Sequence, residues 1–256
     1  MKRLLLFLLV SGPCTAGAQR LPPARELQAL QDSVWHWLAA NRDADPLAEA
    51  VYASGTDDSG GYVDIYLMRA DSAMKNRFRR CIHDSPLIRL HGFDPDTTPY
   101  PPAPEGTAPP NGLTMEAEYA LYPTGTGRVQ LTIRYRGDQA VYFGTDYTVC
   151  RFRHGRWEAL PIVNIRNSLL ISIGRSGFPP PDSTPRGIPP GGYTYDFTAR
   201  LAPRVFPDAY ARYRICKRVY LENPRRDYLL TADFTVTPFV PFTRFTEDAN
   251  GQAPRH

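Results

Sequence analysis

Three arginines near the end of the chain have the spacing that brings side chains to one face of a β-strand. Arg212, Arg214 and Arg218 are separated by even intervals, and alternate residues of a strand point to the same side. Arg151 lies in the predicted strand 147–152 and Arg153 directly follows it, and we expect one or both to join the same surface. Guanidinium groups match carboxylates and phosphates in geometry, so this basic sheet face predicts contact with an anionic glycan, a phospholipid headgroup or an acidic protein. The alternative is a solvated face or a contact within the chain.

Two cysteines have a spacing that allows a disulfide. Cys150 and Cys216 fall in predicted neighbouring strands, and the alternation around Val149 and Ile215 directs both sulfurs away from the core. Opposed residues of adjacent strands lie about 4.5 to 5.5 Å apart, so a cross-strand disulfide forms if the two cysteines face one another. Two thiols out of register are the alternative. Cys81 lies on the apolar face of a predicted helix, and we expect it to be buried.

The remaining reactive residues do not form a recognisable catalytic motif. The sequence contains no nucleophile elbow, zinc-binding helix, phosphate-binding loop or calcium loop. The histidines are scattered, without the intervals of a metal site: His36, His83, His91, His154 and His256. Glu116 and Glu118 share an outward strand face with Thr114, which is typical of a soluble surface. We therefore expect no catalytic residues, no bound metal and no cofactor.

The elements that position these residues are mostly strands. After Gly112, alternating apolar and polar residues predict half-buried strands at 113–119, 129–136, 193–201 and 230–237. Further strands are predicted at 147–152, 157–162 and 213–221. About seven short strands without intervening helices predict an antiparallel, immunoglobulin-like β-sandwich.

A smaller unit of helices and strands precedes the sandwich. Apolar residues at helical spacing predict a helix over 25–41, and Asp71 is placed to cap a second helix that runs to about His83. Strands are predicted at 51–56 and 62–68 around an Asp- and Gly-rich turn, and a third at 87–90. This α+β unit has few apolar residues, so we expect its stability to depend on packing against the sandwich.

The N-terminus has the pattern of a secretory signal peptide. Lys2 and Arg3 precede the apolar run 4–10, and Ala16-Gly17-Ala18 supplies small residues for cleavage near Ala18. The apolar run is shorter than a membrane-spanning helix, and no other segment is long and apolar enough to span a bilayer. We therefore expect a secreted or periplasmic protein. Lipid attachment at Cys14 is the alternative, although Pro13 stands where a lipobox has a small residue.

Composition divides the chain into five parts. We predict a signal peptide at 1–18, a small α+β domain at 24–93, a proline-rich linker at 94–112, the sandwich at 113–238 and a C-terminal tail at 239–256. Proline favours extended backbone, so the linker is either a semi-rigid spacer or a strap lying on a domain. The formal net charge is +4, and removal of Lys2 and Arg3 with the leader leaves +2, which does not favour nucleic acid as a partner.

An ordered series of turns and strands resembles a bacterial immunoglobulin-like domain family of small exported proteins. The residues that carry the resemblance are Tyr122-Pro123, Gly125, Gly127, Phe143-Gly144, Asp146-Tyr147, Val149, His154-Gly155-Arg156-Trp157, Ile188-Pro189-Pro190-Gly191-Gly192 and Tyr213-Arg214-Ile215. The resemblance covers about 113–237. It implies a fold and an envelope location, often as a lipoprotein, and it transfers no active site.

These observations favour a non-catalytic exported protein, a binding or structural module of the cell envelope. The partner is not identified by the sequence; an envelope protein or an anionic glycan fits the basic sheet face. The competing hypothesis is a hydrolase, or a hydrolase accessory or inhibitor, with its site between the two domains. A compact cluster of His, Asp and Glu around a cleft favours the enzyme, whereas an exposed arginine or aromatic patch favours the binding module.

Overall fold

The chain folds into a mainly β, sandwich-like protein preceded by a small unit of helices and strands, which confirms the predicted fold class. A computed structural model describes residues 21–137, 139–163, 171–174, 192–222 and 225–238. The predicted signal peptide with Cys14 and the predicted C-terminal tail lie outside the described residues.

The N-terminal unit packs helices against one face of a three-stranded sheet. Its elements are α1 Ala24–Ala40, α2 Pro46–Ala50, β1 Val51–Asp57, β2 Tyr62–Arg69, α3 Ser72–Cys81 and β3 Ile88–Phe93. Strand β2 is central, with β1 antiparallel on one side and β3 parallel on the other. Leu27, Val34 and Leu38 form the buried stripe of α1, as their helical spacing predicts.

Helix caps explain where the two short helices begin. The Asp71 carboxylate accepts a hydrogen bond of 2.8 Å from the backbone N–H of Met74, which confirms the predicted cap of α3. Asp45 accepts an equivalent bond from Leu47 at the start of α2, a helix that the sequence analysis did not predict. The expectation that Cys81 is buried was wrong: Cys81 ends the last turn of α3 and is exposed.

Within the described residues, the sandwich contains ten strands in two sheets. In chain order they are β4 Leu113–Ala117, β5 Leu121–Pro123, β6 Arg128–Tyr135, β7 Ala140–Phe143, β8 Thr148–Arg153, β9 Arg156–Ala159, β10 Ile171–Gly174, β11 Tyr193–Arg200, β12 Ala211–Glu222 and β13 Arg225–Thr237. The smaller sheet has the order β11-β6-β4. The larger has the order β10-β7-β12-β13-β5, with β8 and β9 joined to β12. Only the β13–β5 pairing is parallel among the described pairings of these two sheets.

The core lies between the two sheets and is filled from alternate positions. Leu131 and Ile133 of β6 belong to one buried cluster with Ile215 and Val219 of β12, and each is at most 1% exposed. Both pairs are spaced at even intervals, so the period of two seen in the sequence becomes an inner face.

Strand β12 pairs with β13 along its whole length and changes partner along its other edge. Its first half pairs with β8, ending at Cys216 opposite Thr148, and its second half pairs with β7 from Tyr220 opposite Tyr142. At the change of partner the side chain of Lys217 points inward and is 1% exposed. Its ammonium group donates to the backbone oxygens of Gly144 and Asp146 at 2.8 and 3.0 Å, in the connection between β7 and β8.

The proline-rich segment lies on the larger sheet as a strap. Backbone bonds join Ala103 to Trp157 and Pro101 to Ala159, so the strap runs along the free edge of β9. Farther on, the oxygen of Thr107 accepts a bond of 2.9 Å from the backbone of Leu229 in β13. Of the two interpretations of this segment, the strap is the one that the structure shows.

The N-terminal unit is fastened to the sandwich by polar and apolar contacts. Arg204 forms a salt bridge of 3.2 Å with Glu49 and donates to the backbone oxygens of Arg42 and Asp43. Met68 of β2 belongs to the core cluster of the sandwich, and it is 2% exposed. The small unit therefore contributes a side chain to the larger core.

No helix among the described residues combines the length and the apolar composition that are needed to cross a bilayer.

The strap predicts that Gly106→Ala destabilises the protein. A Cβ atom at this position would lie 2.7 Å from the Cβ of Leu229, so either the strap or β13 has to shift. We expect a loss of about 1 kcal/mol in the free energy of unfolding, measured by urea denaturation. Gly127→Ala is the matched control, because a Cβ there meets nothing within 4 Å. An equal loss in both variants would contradict the docking of the strap.

Lys217 predicts a specific dependence of stability on pH. Burial lowers the pKa of this lysine from its ordinary value of 10.5 to about 8. Between these values the unfolded chain binds more protons than the folded protein, so this group makes stability rise with pH, by on the order of 1 kcal/mol per pH unit. Lys217→Met removes the group. The difference in unfolding free energy, wild type minus variant, should therefore increase from pH 8 to pH 10; a flat difference would contradict the assignment.

Candidate functional site

The outward surface of β8, β9 and β12 combines arginines with aromatic rings. Arg212, Arg214 and Arg218 project to the outer side of β12, as their even spacing predicts, because Arg214 is paired with the outward Cys150. Phe152 of β8 is paired with Trp157 of β9, and their rings are 5.3 Å apart. We define the arginine–aromatic face as Phe152, Trp157, Arg212, Arg214 and Asp233.

A two-residue turn positions the aromatic pair. His154 and Gly155 connect β8 to β9, and both have positive φ, 49° and 77°. Positive φ at both central residues defines the tight hairpin turn that matches the twist of two antiparallel strands. The turn brings Phe152 opposite Trp157 on the same side of the sheet.

The two arginines nearest the rings are held in different ways. The guanidinium carbon of Arg214 lies 4.3 Å from the centre of the Trp157 ring, and Asp233 accepts two hydrogen bonds from the same group, at 2.6 and 2.7 Å. These bonds raise the pKa of Arg214, which stays charged. Arg212 lies over both rings, 5.2 Å from Phe152 and 5.7 Å from Trp157. It is exposed, and no described carboxylate forms a salt bridge with it.

The prediction that Arg151 and Arg153 join this surface was wrong. Arg151 is paired with Tyr213, whose ring lies in the core, so both point to the inner side of the larger sheet. Arg151 is 4% exposed, donates to Asp208 at 2.9 Å and lies 4.6 Å from the ring of Tyr100 in the strap. Arg153, the last residue of β8, has the same parity and is exposed. Because Val149 was expected to face inward, the alternation by itself places both arginines inward.

Arg218 lies away from the aromatic pair. It projects outward near the strap and donates to the backbone oxygen of Glu105 at 3.2 Å. Of the predicted basic sheet face, only Arg212 and Arg214 therefore lie beside the aromatic pair. Arg218 instead binds the backbone of the strap.

The aromatic half of the face was missed by the sequence analysis. His154 and Gly155 lie between the predicted strands 147–152 and 157–162, and Gly favours a tight turn there. A two-residue turn places the residues two positions outward from each side of it opposite one another. Counting outward from this turn brings Phe152 opposite Trp157. The sequence therefore contained the signal.

The two cysteines share the outward side of the sheet but are not directly opposed. Cys150 is paired with Arg214 and Cys216 with Thr148, so the cysteines are diagonal neighbours. Their sulfur atoms are 3.9 Å apart, and both are buried beneath Ala103, Trp157 and Leu229. The hydrogen bond between the thiols and their burial raise the pKa of Cys150. The thiols are free in this structure, so the disulfide stays a prediction.

A cavity of about 500 Å³ lies between the N-terminal unit and the sandwich. The small unit contributes residues of β1, β2 and β3, and the sandwich contributes the connection before β8 and the segment after β9. Asp146 is the single acidic residue among its described lining, which contains no histidine. Among the described residues, no group of three or more His, Cys, Asp and Glu side chains is arranged to hold a metal ion.

Comparisons with known proteins leave the family open. No family model matches the chain, and no curated protein matches it. A solved structure named "X-ray structure of Northeast Structural Genomics Consortium target SoR45" is similar at 13% identity and a TM-score of 0.27, over 57% of this chain and 96% of that one. The resemblance to the bacterial immunoglobulin-like family stays a prediction.

Cys150 and Cys216 are diagonal and not opposed, but the distance of 3.9 Å between their sulfur atoms predicts that refolding in a glutathione redox buffer joins them. Two thiols lose two protons and two electrons, and one oxidised glutathione is reduced to two thiols. Thiol titration in denaturant should then find one reactive group, Cys81, where the reduced protein has three after removal of the signal peptide. Cys216→Ser is the control and should keep both of its thiols. Three titratable thiols in the oxidised wild type would contradict the prediction.

Proposed function

We propose that this chain is a non-catalytic exported protein of the cell envelope, and that its sandwich binds an anionic glycan at the arginine–aromatic face. The observation that supports the proposal is the exposure of Arg212 and its lack of a salt-bridge partner among the described residues. Its guanidinium group is exposed and lies over two rings, and no described carboxylate neutralises it. An arginine without a carboxylate partner keeps its N–H donors available to a ligand.

The groups around Arg212 fit a flat, acidic ligand. The guanidinium group of Arg212 lies over the rings of Phe152 and Trp157, and a group that already packs on rings loses less conformational entropy when a carboxylate binds. Asp233 accepts two hydrogen bonds from Arg214, so this pair is a fixed neighbour of Arg212 with no net charge. Aromatic rings beside charged donors offer an apolar surface to a sugar ring and polar groups to its carboxylate.

Two further features are compatible with this role. The N-terminal unit meets the sandwich at Arg200, Arg204 and the cavity, which leaves the aromatic end of the face uncovered by these contacts. The signal peptide expected from the sequence would deliver the protein to the compartment in which envelope glycans lie.

The competing function, a hydrolase or an accessory of one, would use the cavity between the two units. The cavity exists, but Asp146 has no second carboxylate or histidine beside it in the described lining. General acid–base hydrolysis uses paired titratable groups in reach of one bond. The arginine–aromatic face therefore supports the binding role better than the cavity supports hydrolysis.

The proposal predicts that Arg212→Glu weakens binding to polygalacturonate, a polysaccharide of carboxylated sugars. We expect a loss of at least about tenfold in affinity, measured by biolayer interferometry, because a repulsive charge replaces an attractive one. Binding of wild type should also weaken as salt is added.

Arg128→Glu is the matched control, since Arg128 is an exposed arginine on β6 in the other sheet and its substitution changes the net charge equally. Dextran, an uncharged polysaccharide, tests whether stacking of sugar rings on the aromatic pair is sufficient for binding. Equal losses in the two variants, or no binding by wild type, would exclude the arginine–aromatic face as the site.

A further inference from the structure

The cavity between the two units has the size of a ligand site. Its volume of about 500 Å³ falls within the range of about 300 to 1,000 Å³ that is typical of small-molecule pockets, which often lie where two structural units meet. Its walls come from elements that are independently held: β2 by its two strand partners, and the 144–147 connection by Lys217. These two walls of the cavity are therefore held by contacts outside it.

The described lining has the charge that a cation requires. Asp146 is exposed to the cavity region and forms no salt bridge with a described residue, and no Lys, Arg or His belongs to the described lining. Lys217 lies behind the same wall, bonded to the backbone oxygen of Asp146, and its charge offsets part of that carboxylate. The face presented to the cavity nevertheless contains one acidic group and no basic group.

Aromatic residues line the cavity from both units. Tyr52 and Phe93 belong to the N-terminal unit, and Tyr147 belongs to the sandwich. The Tyr147 hydroxyl accepts a bond of 2.7 Å from the backbone of Arg200, and the Phe93 ring lies 4.7 Å from the Tyr100 ring. Two of the three aromatic residues are thus held in place by contacts outside the cavity.

We infer that this cavity binds a small organic ammonium ion, with Tyr52, Phe93 and Tyr147 around the cation and Asp146 as its counter-ion. Aromatic faces attract cations that have been removed from water, and quaternary ammonium groups are recognised in this way because their methyl groups cannot donate strong hydrogen bonds. A carboxylate and three aromatic side chains, without a competing basic residue in the described lining, fit that chemistry. The site does not depend on the arginine–aromatic face.

Isothermal titration calorimetry with choline chloride tests the inference. The matched probe is the uncharged analogue of choline in which carbon replaces the quaternary nitrogen, because the two molecules have the same shape. We expect saturable binding of choline and binding of the analogue that is at least about tenfold weaker. Absence of choline binding, or equal binding of the two probes, would overturn the inference.

Substitutions locate the site. Asp146→Asn and Tyr52→Leu should each weaken choline binding by about tenfold, since one removes the counter-ion and the other a ring. Both residues are exposed, so both variants should fold, which circular dichroism checks. Asp58→Asn and Tyr210→Leu are the matched controls, because both residues are exposed and lie outside the described lining.

The pattern of losses separates this inference from the proposed function. Arg212→Glu should leave choline binding unchanged, and Asp146→Asn should leave polygalacturonate binding unchanged. Equal effects of the cavity variants and their controls on choline binding would overturn the location of the site.

Discussion

The arrangement of the larger sheet depends on one buried amine. Strand β12 has to pair with β8 over one part of its length and with β7 over another, and the connection between those two strands crosses beside it. The backbone oxygens of Gly144 and Asp146 in this connection point toward the buried side chain of Lys217, and a carbonyl turned away from water needs a donor. Lys217 supplies both donors, and the rings of Phe143 and Phe197, at 5.3 and 4.9 Å, face its charge.

The same strand organises both surfaces to which we assign binding. Its inward residue Lys217 holds the connection that contributes Asp146 and Tyr147 to the cavity. Its outward residues Arg212 and Arg214 form half of the arginine–aromatic face. Successive residues of a strand point to opposite sides, so one rigid element serves the interior and the exterior together.

The proline-rich strap decides how much of the outward face is available. It follows the edge of β9, covers the cysteine pair and reaches β13. Its backbone also accepts a hydrogen bond from Arg218. The rings of Phe152 and Trp157 lie toward the turn between β8 and β9, where Arg212 is exposed. The strap, one of the two interpretations that composition left open, thus confines the surface to which we assign binding to one end of the sheet.

Local patterns in the sequence determined most of the elements, although α2, β5, β7 and β10 were not predicted. The period of two predicted long strands of the sandwich, helical spacing predicted α1, and Asp71 predicted the start of α3. They also determined that Arg212 and Arg214 face outward, because parity along one strand is a local property. The tertiary structure decided the features that no single segment of the chain contains. Strand register made Cys150 and Cys216 diagonal, packing against the connection buried Lys217, and docking of the small unit created the cavity. Each of these depends on contacts between residues far apart in the chain, which the alternation within a strand does not encode.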